Sequence, residues 1–439
     1  MRKLGRTKRQ RQKQVRRNAR KAKKTVRYEA GMAAGYQEGA RIGLSRFGTY
    51  FDGTSIIIPS YNQVDFLKKC LTSIHKHTNV AYEIIVVDNA SSDGTAAYLQ
   101  SVDGVVRYRV LERNCGFAGA VNVGMMMAKG TSLLLLNNDT IVTDNWLSNL
   151  LACLNSDPGI GMVGPVTNNI SGDQRIEVPY TTEKEIASFG RRFNVHDPAK
   201  WQRTDRLKGF CLLFRRELWD RTGYLDEGFA IGNYEDDDFS IRVRLQGYSL
   251  VTARDTFIHH FGSVSMKALG ERFNEVNDRN LHVYMDKWGN PHELIHEVHA
   301  RGLGLAGQGE TSFFPEGVVV RGVTAALYWV ENGRRRPIAG TVSVPAIRLS
   351  QVDLRRWPVG EPIAAEAVEA AWLQQPQISE AGGLPYIVEN GLRRRVTTAK
   401  AGEAWGLGLR QGSPFPAGQL GTLAEGLPII AHVQVAERL

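Results

Sequence analysis

The stretch SLLLLNNDTIV, residues 132–142, decides the fold of this chain because it joins an apolar run directly to a polar cluster. Four consecutive leucines bounded by turn-forming residues are typical of a strand that is buried on both faces of a sheet. The strand ends in Asn137, Asn138 and Asp139. A buried strand that ends in two amides and a carboxylate predicts a sheet edge where polar side chains hold a ligand.

Strands and helices alternate on both sides of this stretch. The predicted strands are TSIIIPSYN (54–62), EIIVVD (83–88), VVRYRVL (105–111), SLLLL (132–136) and IGMVGPV (160–166). The predicted helices cover residues 65–77, 96–102, 119–128 and 145–155. Such alternation indicates βαβ units and a parallel sheet with right-handed crossovers, so the predicted fold class is α/β.

The ends of the predicted strands define one polar rim. Ligands of open α/β sheets bind beyond the carboxyl ends of the strands. In this chain those ends carry Tyr61, Asn62, Asp88, Asn89, Asn114, Asn137, Asn138 and Asp139. We therefore expect these side chains to meet at one edge of the sheet and to form the binding site.

Residues 1–28 form a basic tail. They hold fourteen Lys and Arg and no acid, and the remaining 411 residues carry 41 basic and 45 acidic side chains. The overall charge of +10 therefore belongs to the tail. Such a block is either solvated or docks to an anionic partner, such as nucleic acid, an anionic membrane surface or an acidic protein. We assign residues 1–50 to a basic tail and a helical appendage.

The remaining composition argues against a secreted or membrane-spanning protein. No apolar run approaches the roughly 18 residues that span a bilayer, and the start of the chain lacks the apolar segment of a secretory signal. The cysteines, which are Cys70, Cys115, Cys153 and Cys211, lack CxxC spacing, so neither a disulfide framework nor a zinc site is indicated. We expect a cytoplasmic protein, peripheral to the inner face of the membrane if the tail docks there.

The C-terminal part of the chain has a different texture. Residues 301–317 are glycine-rich and are predicted to link a domain at 51–300 to a region at 318–439. That region repeats itself after 58 residues, as YWVENGRRRPI (328–338) and YIVENGLRRRV (386–396). Each copy places Asn-Gly between strand-like flanks, which is the preferred sequence of a type I′ hairpin turn. We predict two repeated small β modules.

The sequence leaves two roles open for these modules. They are either a structural cap or dimer contact, or a tandem recognition module for a polymer or protein acceptor. In the second case four tryptophans are candidate binding platforms, namely Trp329, Trp357, Trp372 and Trp405.

Two aspartates of the predicted rim have a chemical use. Asp88 ends a buried strand, where an unpaired carboxylate is costly, and should accept hydrogen bonds from a base, a ribose or the following turn. Asp139 is a candidate ligand for Mg²⁺ or Mn²⁺, which proteins hold with one or two carboxylates while diphosphate oxygens and water complete an octahedron. The alternative for Asp139 is a strand-end cap.

Four carboxylates, Glu235 to Asp238, stand together at the start of a predicted helix. Acids favour a helix N-terminus, but four exceed the need of a cap. Their mutual repulsion should raise at least one pKa, which suits a general base near neutral pH. His259 and His260 follow a short strand, and a histidine pair near a proposed metal site is a candidate for its ligands.

Seven segments together resemble the family 2 glycosyltransferases of the GT-A fold, and among them the rhamnosyltransferase-like branch. In chain order they are SIIIPSYN, IIVVDNASSDGT, RNCGFAGAVNVG, LLLLNNDTIV, KGFCLLFRREL, GYLDEGFAIGNYEDDDFSIRVRLQGY and HHFGSVS. They lie between residues 54 and 291, over half of the chain. The resemblance implies a Rossmann-like GT-A core that transfers a sugar with inversion from a nucleoside diphosphate sugar, assisted by Mg²⁺ or Mn²⁺.

The resemblance also implies roles at the matching positions. Nucleotide-sugar contacts would come from Pro59, Tyr61, Asp88, Asn114, Gly116, Phe117 and Asn138. Asp139, as the last residue of the family's DxD motif, and His260 would face the metal and the diphosphate. Asp236 would be the base that deprotonates the acceptor hydroxyl, with Asp238 as the second candidate. The acceptor pocket would hold Gly209, Phe210 and Glu235.

Two positions depart from the family's pattern. Asn137 replaces the first Asp of DxD, which leaves one carboxylate and an amide, so the pattern does not define the affinity or identity of the metal. Asp237 adds a further acid between Asp236 and Asp238, which is why both flanking residues stay candidates for the base.

The expected partners are a UDP-, dTDP- or GDP-sugar donor and an acceptor hydroxyl on a glycan, a lipid-linked glycan or a surface protein. One competing hypothesis is a non-catalytic protein that docks to an anionic surface through the tail; the presence of Asp139 and Asp236 argues against such a degenerate core. Another is a nucleotidyltransferase, which would show a Gly-rich basic phosphate loop after the first strand, and PSYNQVDF has none. Donor sugar, linkage and oligomeric state are not specified by the sequence.

Overall fold

The computed structural model describes residues 48–262, 272–304 and 309–436, together with residues 30, 31, 34, 35, 37–39, 41 and 270. Residues 1–51 and residues 52–439 form two compact units. In the first unit Arg41 pairs with Glu38, with 2.6 Å between Nη2 and Oε1. The basic tail at residues 1–28 lies outside the described residues. All of the residues predicted for the site belong to the second unit.

A mixed sheet of eight strands forms the centre of the N-terminal half of the second unit, in the order β3-β2-β1-β4-β8-β6-β9-β7. Two further strands, β5 and β10, pair only with each other. The ten strands are β1 (Phe51–Ser60), β2 (Tyr82–Asp88), β3 (Arg107–Val110), β4 (Gly130–Leu136), β5 (Thr140–Ile141), β6 (Ile160–Val166), β7 (Trp201–Thr204), β8 (Cys211–Arg215), β9 (Ser249–Phe257) and β10 (His259–His260).

The predicted α/β class is confirmed, and the sheet is rich in parallel pairs, but it also contains two antiparallel strands that the prediction of a parallel sheet did not include. β1, β2 and β3 run parallel to one another, and so do β6 and β9. β8 lies antiparallel between β4 and β6, and β7 lies antiparallel to β9 at the edge. In a βαβ unit β6 would lie beside β4 and run parallel to it. Here β8 lies between these two strands and runs antiparallel to both.

The central strands are buried on both faces, as the run of leucines predicted. Leu134 and Leu136 belong to one hydrophobic cluster, and Leu133 and Leu135 belong to the other. Because side chains alternate along a strand, each central strand contributes to a core on either side of the sheet.

Helices cover both faces of this sheet. α1 and α4 pack on one core, and α3 and α7 pack on the other. The helices up to residue 300 are α1 (Val64–His77), α2 (Thr95–Ser101), α3 (Gly116–Met127), α4 (Trp146–Asn155), α5 (Glu183–Phe193), α6 (Arg216–Thr222), α7 (Glu235–Leu245), α8 (Arg272–Trp288) and α9 (Pro291–Ala300). α1, α2 and α4 follow the predicted ranges closely, and α3 begins earlier, at Gly116.

The two-stranded ribbon of β5 and β10 joins distant parts of the chain. The strands are antiparallel, and His260 stands opposite Thr140. The backbone N–H of Phe261 donates to the carbonyl of Asp139 at 3.0 Å. The ribbon therefore places His260 next to Asp139, although the two residues are far apart in the sequence.

Two smaller sheets form the C-terminal region, in the orders β14-β11-β12-β13-β15 and β16-β17-β18-β19. Their strands are β11 (Val318–Arg321), β12 (Leu327–Glu331), β13 (Arg334–Ala339), β14 (Ala346–Arg348), β15 (Ile363–Ala364), β16 (Ser379–Ala381), β17 (Leu384–Glu389), β18 (Leu392–Arg395) and β19 (Ala424–Glu425). The helices here are α10 (Gln351–Arg356), α11 (Ala365–Gln374), α12 (Ala399–Ala404) and α13 (Ala417–Leu420).

Both predicted Asn-Gly hairpin turns are confirmed. Asn332 and Gly333 have φ of 51° and 66°, and Asn390 and Gly391 have φ of 51° and 76°, as a type I′ turn requires. The flanking strands pair antiparallel, β12 with β13 and β17 with β18. Glu316 Oε2 accepts from the N–H of Asn332 and from the side-chain amide of Asn390, each at 3.0 Å, so the two turns meet at one carboxylate.

The interpretation of the four tryptophans as binding platforms is wrong, because all of them are core residues. Trp329 and Trp405 are 1% and 0% exposed, and Trp357 and Trp372 are 5% and 7% exposed. The indole N–H of Trp405 donates to the carbonyl of Ile430 at 2.7 Å. Buried indoles of this kind stabilise the modules and present no face to a ligand.

The C-terminal region shares a hydrophobic core with the sheet domain. Ile241 of α7 and Trp288 of α8 belong to the same buried cluster as Phe313, Phe314 and Trp405. This common core explains why residues 52–439 form a single compact unit.

Candidate active site

A cleft of about 1400 Å³ opens beyond the ends of β1, β2 and β4. Its wall contains most of the residues that the sequence predicted for the site: Pro59, Tyr61, Asn114, Gly116, Phe117, Asn138, Asp139, Gly209, Phe210, Glu235, Asp236 and His260. The two other predicted residues, Asp88 and Asp238, are fully buried. The polar strand ends therefore meet at one edge of the sheet, as expected.

Side-chain amides tie these strand ends together. The Nδ2 of Asn89 donates to Asn114 Oδ1 at 2.9 Å and to the carbonyl of Gly116 at 3.0 Å. Asn138, after β4, donates to the hydroxyl of Ser60 on β1 at 3.2 Å. Asn89 thus fixes the loop before α3, a role that its place on the predicted rim did not reveal.

Asp88 ends β2 in a fully buried position. Its Oδ1 accepts from the backbone N–H of Ser91 at 3.0 Å, and its Oδ2 has no hydrogen-bond partner within the described part of the chain. A buried carboxylate oxygen without a donor is costly. An N–H or O–H group from outside the protein would satisfy it.

Asp139 and His260 face each other in the cleft, with 3.2 Å between Asp139 Oδ1 and His260 Nε2. The other ring nitrogen, Nδ1, lies 2.8 Å from the carbonyl of Asn169. Because a carbonyl only accepts, Nδ1 carries a proton, and Nε2 is the ring nitrogen that faces the carboxylate. A carboxylate oxygen and a ring nitrogen at this distance require a proton or a cation between them.

This arrangement fits a divalent cation. Asn137 Oδ1, at the same strand end, is buried and has no hydrogen-bond partner among the residues that the structure describes. In those residues no three His, Cys, Asp or Glu side chains converge as a metal cluster. One carboxylate, one imidazole and an amide oxygen leave positions for water and diphosphate oxygens, as Mg²⁺ and Mn²⁺ require. The set does not fit a closed structural zinc site.

Asp236 is the second residue of α7 and is held by two backbone N–H groups. Its Oδ2 accepts from Gly209 at 2.8 Å and its Oδ1 from Asp237 at 2.9 Å. A Cβ at Gly209 would lie 3.3 Å from the Cβ of Asp236, so the absence of a side chain at 209 permits this close approach. The residue is 9% exposed and lines the cleft, and its two hydrogen bonds define the orientation of the carboxylate.

The neighbours of Asp236 have raised pKa values. Burial and the charge of Asp236 raise the pKa of Glu235 to about 8. Burial raises the pKa of Asp237 most, and the negative charge of Asp236 raises it further. The positive charge of Lys208, whose Nζ lies 3.6 Å from Asp237 Oδ2, opposes this rise. The expectation that the acidic cluster raises at least one pKa therefore holds at Glu235 and Asp237.

The loop before α7, residues 230–234, is strained. Ile231, Asn233 and Tyr234 have φ of 65°, 81° and 75°. Such conformations cost non-glycine residues of order 1–3 kcal/mol each, and for a β-branched residue they are genuine outliers. The carbonyl of Ile231 accepts from the N–H of Phe117 at 2.7 Å, so the loop joins the start of α3 to the start of α7. Local sequence preferences do not predict this conformation.

Comparison with known proteins identifies the family. The family model "Glycosyl transferase family 2" matches residues 55–222. The glycosyltransferase AglE of Haloferax volcanii is 30% identical over 238 residues, which cover 53% of this chain and 74% of that protein. The chain belongs to glycosyltransferase family 2.

This family 2 chain matches only part of the length of other similar proteins. A chondroitin synthase of Pasteurella multocida is 25% identical over 226 residues, which cover 44% of this chain and only 23% of that protein. Among solved structures, GalNAc-T7 with UDP, GalNAc and Mn²⁺ is 18% identical with a TM-score of 0.41, over 58% of this chain and 51% of that one.

Asp238 is not a candidate base of this glycosyltransferase, in contrast to the prediction from the sequence. It is fully buried and contacts Arg242 Nε at 2.8 Å, Lys287 Nζ at 2.7 Å and Trp288 Nε1 at 2.9 Å. Burial alone would raise its pKa, but Lys287 and Arg242 hold the pKa below its usual value. A carboxylate enclosed by two cations has no access to the cleft and accepts protons poorly.

Sequence reasoning missed the cationic side chains of the cleft. The wall also contains Arg113, Arg206, Lys208 and Arg272. Arg113 and Lys208 directly precede the predicted residues Asn114 and Gly209. An inspection of the positions next to the predicted residues would therefore have found them. Arg272 lies at the start of α8, outside the predicted motifs.

Proposed function

We propose that this chain is an inverting glycosyltransferase that moves a hexosyl or deoxyhexosyl group from a nucleoside diphosphate sugar to an acceptor hydroxyl. The observation that carries the proposal is that Asp236 and the Asp139–His260 pair share one cleft. They come from different segments, α7 and the β5–β10 ribbon. In-line displacement at an anomeric carbon requires a base on one side and a site for the leaving diphosphate on the other.

Asp236 is the proposed base. Its two hydrogen bonds from the backbone at Gly209 and Asp237 fix its orientation and leave further lone pairs on both oxygens for an acceptor hydroxyl. It would take the hydroxyl proton as the oxygen forms its bond to the anomeric carbon. Gly209, Phe210 and Glu235 would shape the acceptor pocket around it.

Asp139 and His260, with the amide of Asn137, would hold Mg²⁺ or Mn²⁺. A bound divalent cation would stabilise the negative charge that develops on the departing diphosphate. Asn169 supports this arrangement, because its carbonyl orients the His260 ring with Nε2 toward Asp139.

The donor nucleotide would lie along the ends of β1 and β2. Pro59 and Tyr61 would contact the nucleoside, and the orphaned Asp88 Oδ2 would accept a hydrogen bond from its base or ribose. The loop that Asn89 fixes, with Asn114, Gly116 and Phe117, and Asn138 after β4 would contact the ribose and the sugar. The base of the nucleotide, which is uracil, thymine or guanine, is left to experiment.

The acceptor is proposed to be a glycan, a lipid-linked glycan or a surface protein. Chondroitin synthase, one of the similar proteins, is named for the synthesis of a polysaccharide, which supports a glycan acceptor and a part in polysaccharide biosynthesis. The rhamnosyltransferase-like branch stays a prediction.

A donor-hydrolysis screen tests the proposal. Purified protein is incubated with UDP-, GDP- and dTDP-sugars with Mn²⁺, with Mg²⁺ and with EDTA, and the free nucleotide is measured. Release from one donor that EDTA abolishes supports both the reaction and the role of the metal. If no donor releases nucleotide and calorimetry detects no nucleotide binding, the proposal is refuted.

No observation favours the competing hypothesis of a non-catalytic docking protein, because Asp139 and Asp236 are both present and lie in the cleft. Docking to an anionic membrane surface through residues 1–28 stays a prediction about residues that the structure does not describe. None of the helices in the described ranges is both long and apolar enough to cross a bilayer.

A further inference from the structure

Asn280, on α8, makes four hydrogen bonds to the strained loop of the cleft. Its Oδ1 accepts from the N–H of Ala230 at 3.1 Å. Its Nδ2 donates to the carbonyls of Ala230 at 2.9 Å, Gly232 at 2.8 Å and Asn233 at 3.2 Å. The side chain is 0% exposed. All of its hydrogen-bonding capacity is thus directed at one short loop.

The chemistry of these contacts requires an asparagine. One N–H of the loop donates to the amide oxygen, and three carbonyls of the loop share the two hydrogens of the amide NH2, so a primary amide supplies the acceptor and the donors at one end. An aspartate of the same shape would keep the acceptor but place its second oxygen against three carbonyl oxygens. An alanine would leave all four backbone groups without this partner in a buried environment.

The loop transmits this restraint to both sides of the cleft. On the donor side, the carbonyl of Ile231 accepts from Phe117 at 2.7 Å, and a Cβ at Gly116 would lie 3.3 Å from the nitrogen of Ile231. On the side of the base, Tyr234 immediately precedes α7. Tyr234 also packs on Tyr284 of α8, with ring centroids 5.4 Å apart.

We propose that Asn280 is a positioning residue of the transferase. By holding residues 230–233 in their strained conformation, it sets the distance between the donor loop at Gly116 and the base Asp236. Asn280 does not belong to the wall of the cleft and acts through the loop. The inference rests on the proposed function in one respect, which is the role of Asp236 as the base.

The test compares Asn280→Asp and Asn280→Ala with matched changes at Asn274, an exposed position near the start of the same helix. Hydrogen exchange is measured for residues 116–118 and 229–236. Turnover is measured with the donor that the wild type hydrolyses, and the Kd of its nucleotide is measured by calorimetry. Both Asn280 variants should exchange faster at the loop and lose about 100-fold in kcat, since a displacement of about 1 Å can cost that much.

The nucleotide Kd should stay within about twofold of the wild type, because the lost restraint acts in the transition state. Asn274→Asp and Asn274→Ala should leave exchange, turnover and binding unchanged. Unchanged exchange at the loop in Asn280→Ala would overturn the proposal. So would an equal loss of kcat and nucleotide binding accompanied by a lower melting temperature, since that pattern describes a merely structural residue. A wild type that turns over no donor and binds no nucleotide would instead refute the proposed function, and the exchange data would still decide whether Asn280 holds the loop.

Discussion

The residue Asp236 offers the most direct test of the chemistry. In Asp236→Asn the amide oxygen can still accept from the N–H of Gly209, while the amide NH2 takes the place of the oxygen that accepts from Asp237, so one of the two backbone hydrogen bonds is kept. The proton acceptor is lost, and we expect kcat to fall about 10²- to 10⁴-fold with nucleotide binding unchanged. Asp237→Asn is the control, since Asp237 is paired with Lys208 and should cost much less. Normal turnover of Asp236→Asn would exclude it as the base.

Asp139 and Asn137 together test the metal site. Asp139→Ala removes the only carboxylate of the DxD-like stretch, and we expect the metal concentration for half-maximal activity to rise by at least the roughly 10- to 100-fold that outer-shell changes cost. Asn137→Asp restores the first acid of the motif and should lower that concentration. A metal titration of turnover with the hydrolysed donor measures both concentrations. Identical titrations for all three proteins would contradict the assignment of these ligands.

The raised pKa of Glu235 predicts how the free energy of unfolding depends on pH. Its pKa is about 8 in the folded protein against an ordinary value of 4.5. Between these values the folded state keeps a proton that the unfolded state has lost, so the free energy of unfolding falls as the pH rises, by up to ~1.4 kcal/mol per pH unit. Glu235→Gln removes this contribution and should therefore gain stability relative to the wild type between about pH 5 and about pH 8. Urea unfolding at both pH values measures the difference, and parallel pH profiles would refute it.

At the scale of elements, apolar periodicity predicts where a helix or strand lies in the sequence. The direction of a strand in the sheet and the contacts of a side chain depend on distant parts of the chain. The strands around Leu133 and the helix at Val64–His77 lie where their apolar spacing places them. The antiparallel insertion of β8 was missed because no strand was predicted at Cys211–Arg215, and even a recognised apolar strand would not reveal its direction. Asp238 was misassigned because Lys287 and Trp288, which enclose it, lie on a different helix.

The same limit applies to the site. Its polar strand ends were predictable because the topology of an α/β sheet brings them together. The strained conformation at Ile231 was not, because local preference disfavours it and its contacts with Asn280 and Phe117 come from distant parts of the chain. Burial of Trp405 also depends on tertiary packing, which the hairpin motif does not encode.

The contact between α7 and α8 is predicted to depend on one buried cation. Lys287 Nζ lies 2.5 Å from Asp226 Oδ2 and 2.7 Å from Asp238 Oδ1, and all three side chains are at most 4% exposed. Lys287→Met leaves buried carboxylates short of a partner, and we expect a loss of about 3–5 kcal/mol in the free energy of unfolding. Lys68→Met, which removes an exposed pair with Asp65, should cost at most about 1 kcal/mol. Equal losses in urea unfolding would show that the buried network contributes nothing particular.

At the scale of the whole molecule, the C-terminal region completes the enzyme's core. Arg242 of α7 donates to Glu310 at 3.2 Å, and both are buried. Near the other end of the region, the N–H of Gln434 donates to Asp226 Oδ1 at 3.0 Å, and the N–H of Ala436 donates to Glu227 at 3.1 Å. Ala436 also belongs to the wall of the cleft. The region therefore supports α7 and contributes a residue to the wall of the cleft.

This shared core predicts that residues 52–439 unfold as one unit. A chain truncated after residue 304 would expose Ile241 and Trp288 and would leave Arg242 without Glu310. We expect the truncated chain to lose its cooperative unfolding transition in calorimetry and to turn over no donor. Deletion of residues 1–28, which precede this unit in the sequence, should change neither the transition nor transfer to a small acceptor. A truncated chain that melts sharply at the temperature of the full chain would show instead that the C-terminal modules fold and act independently of the catalytic domain.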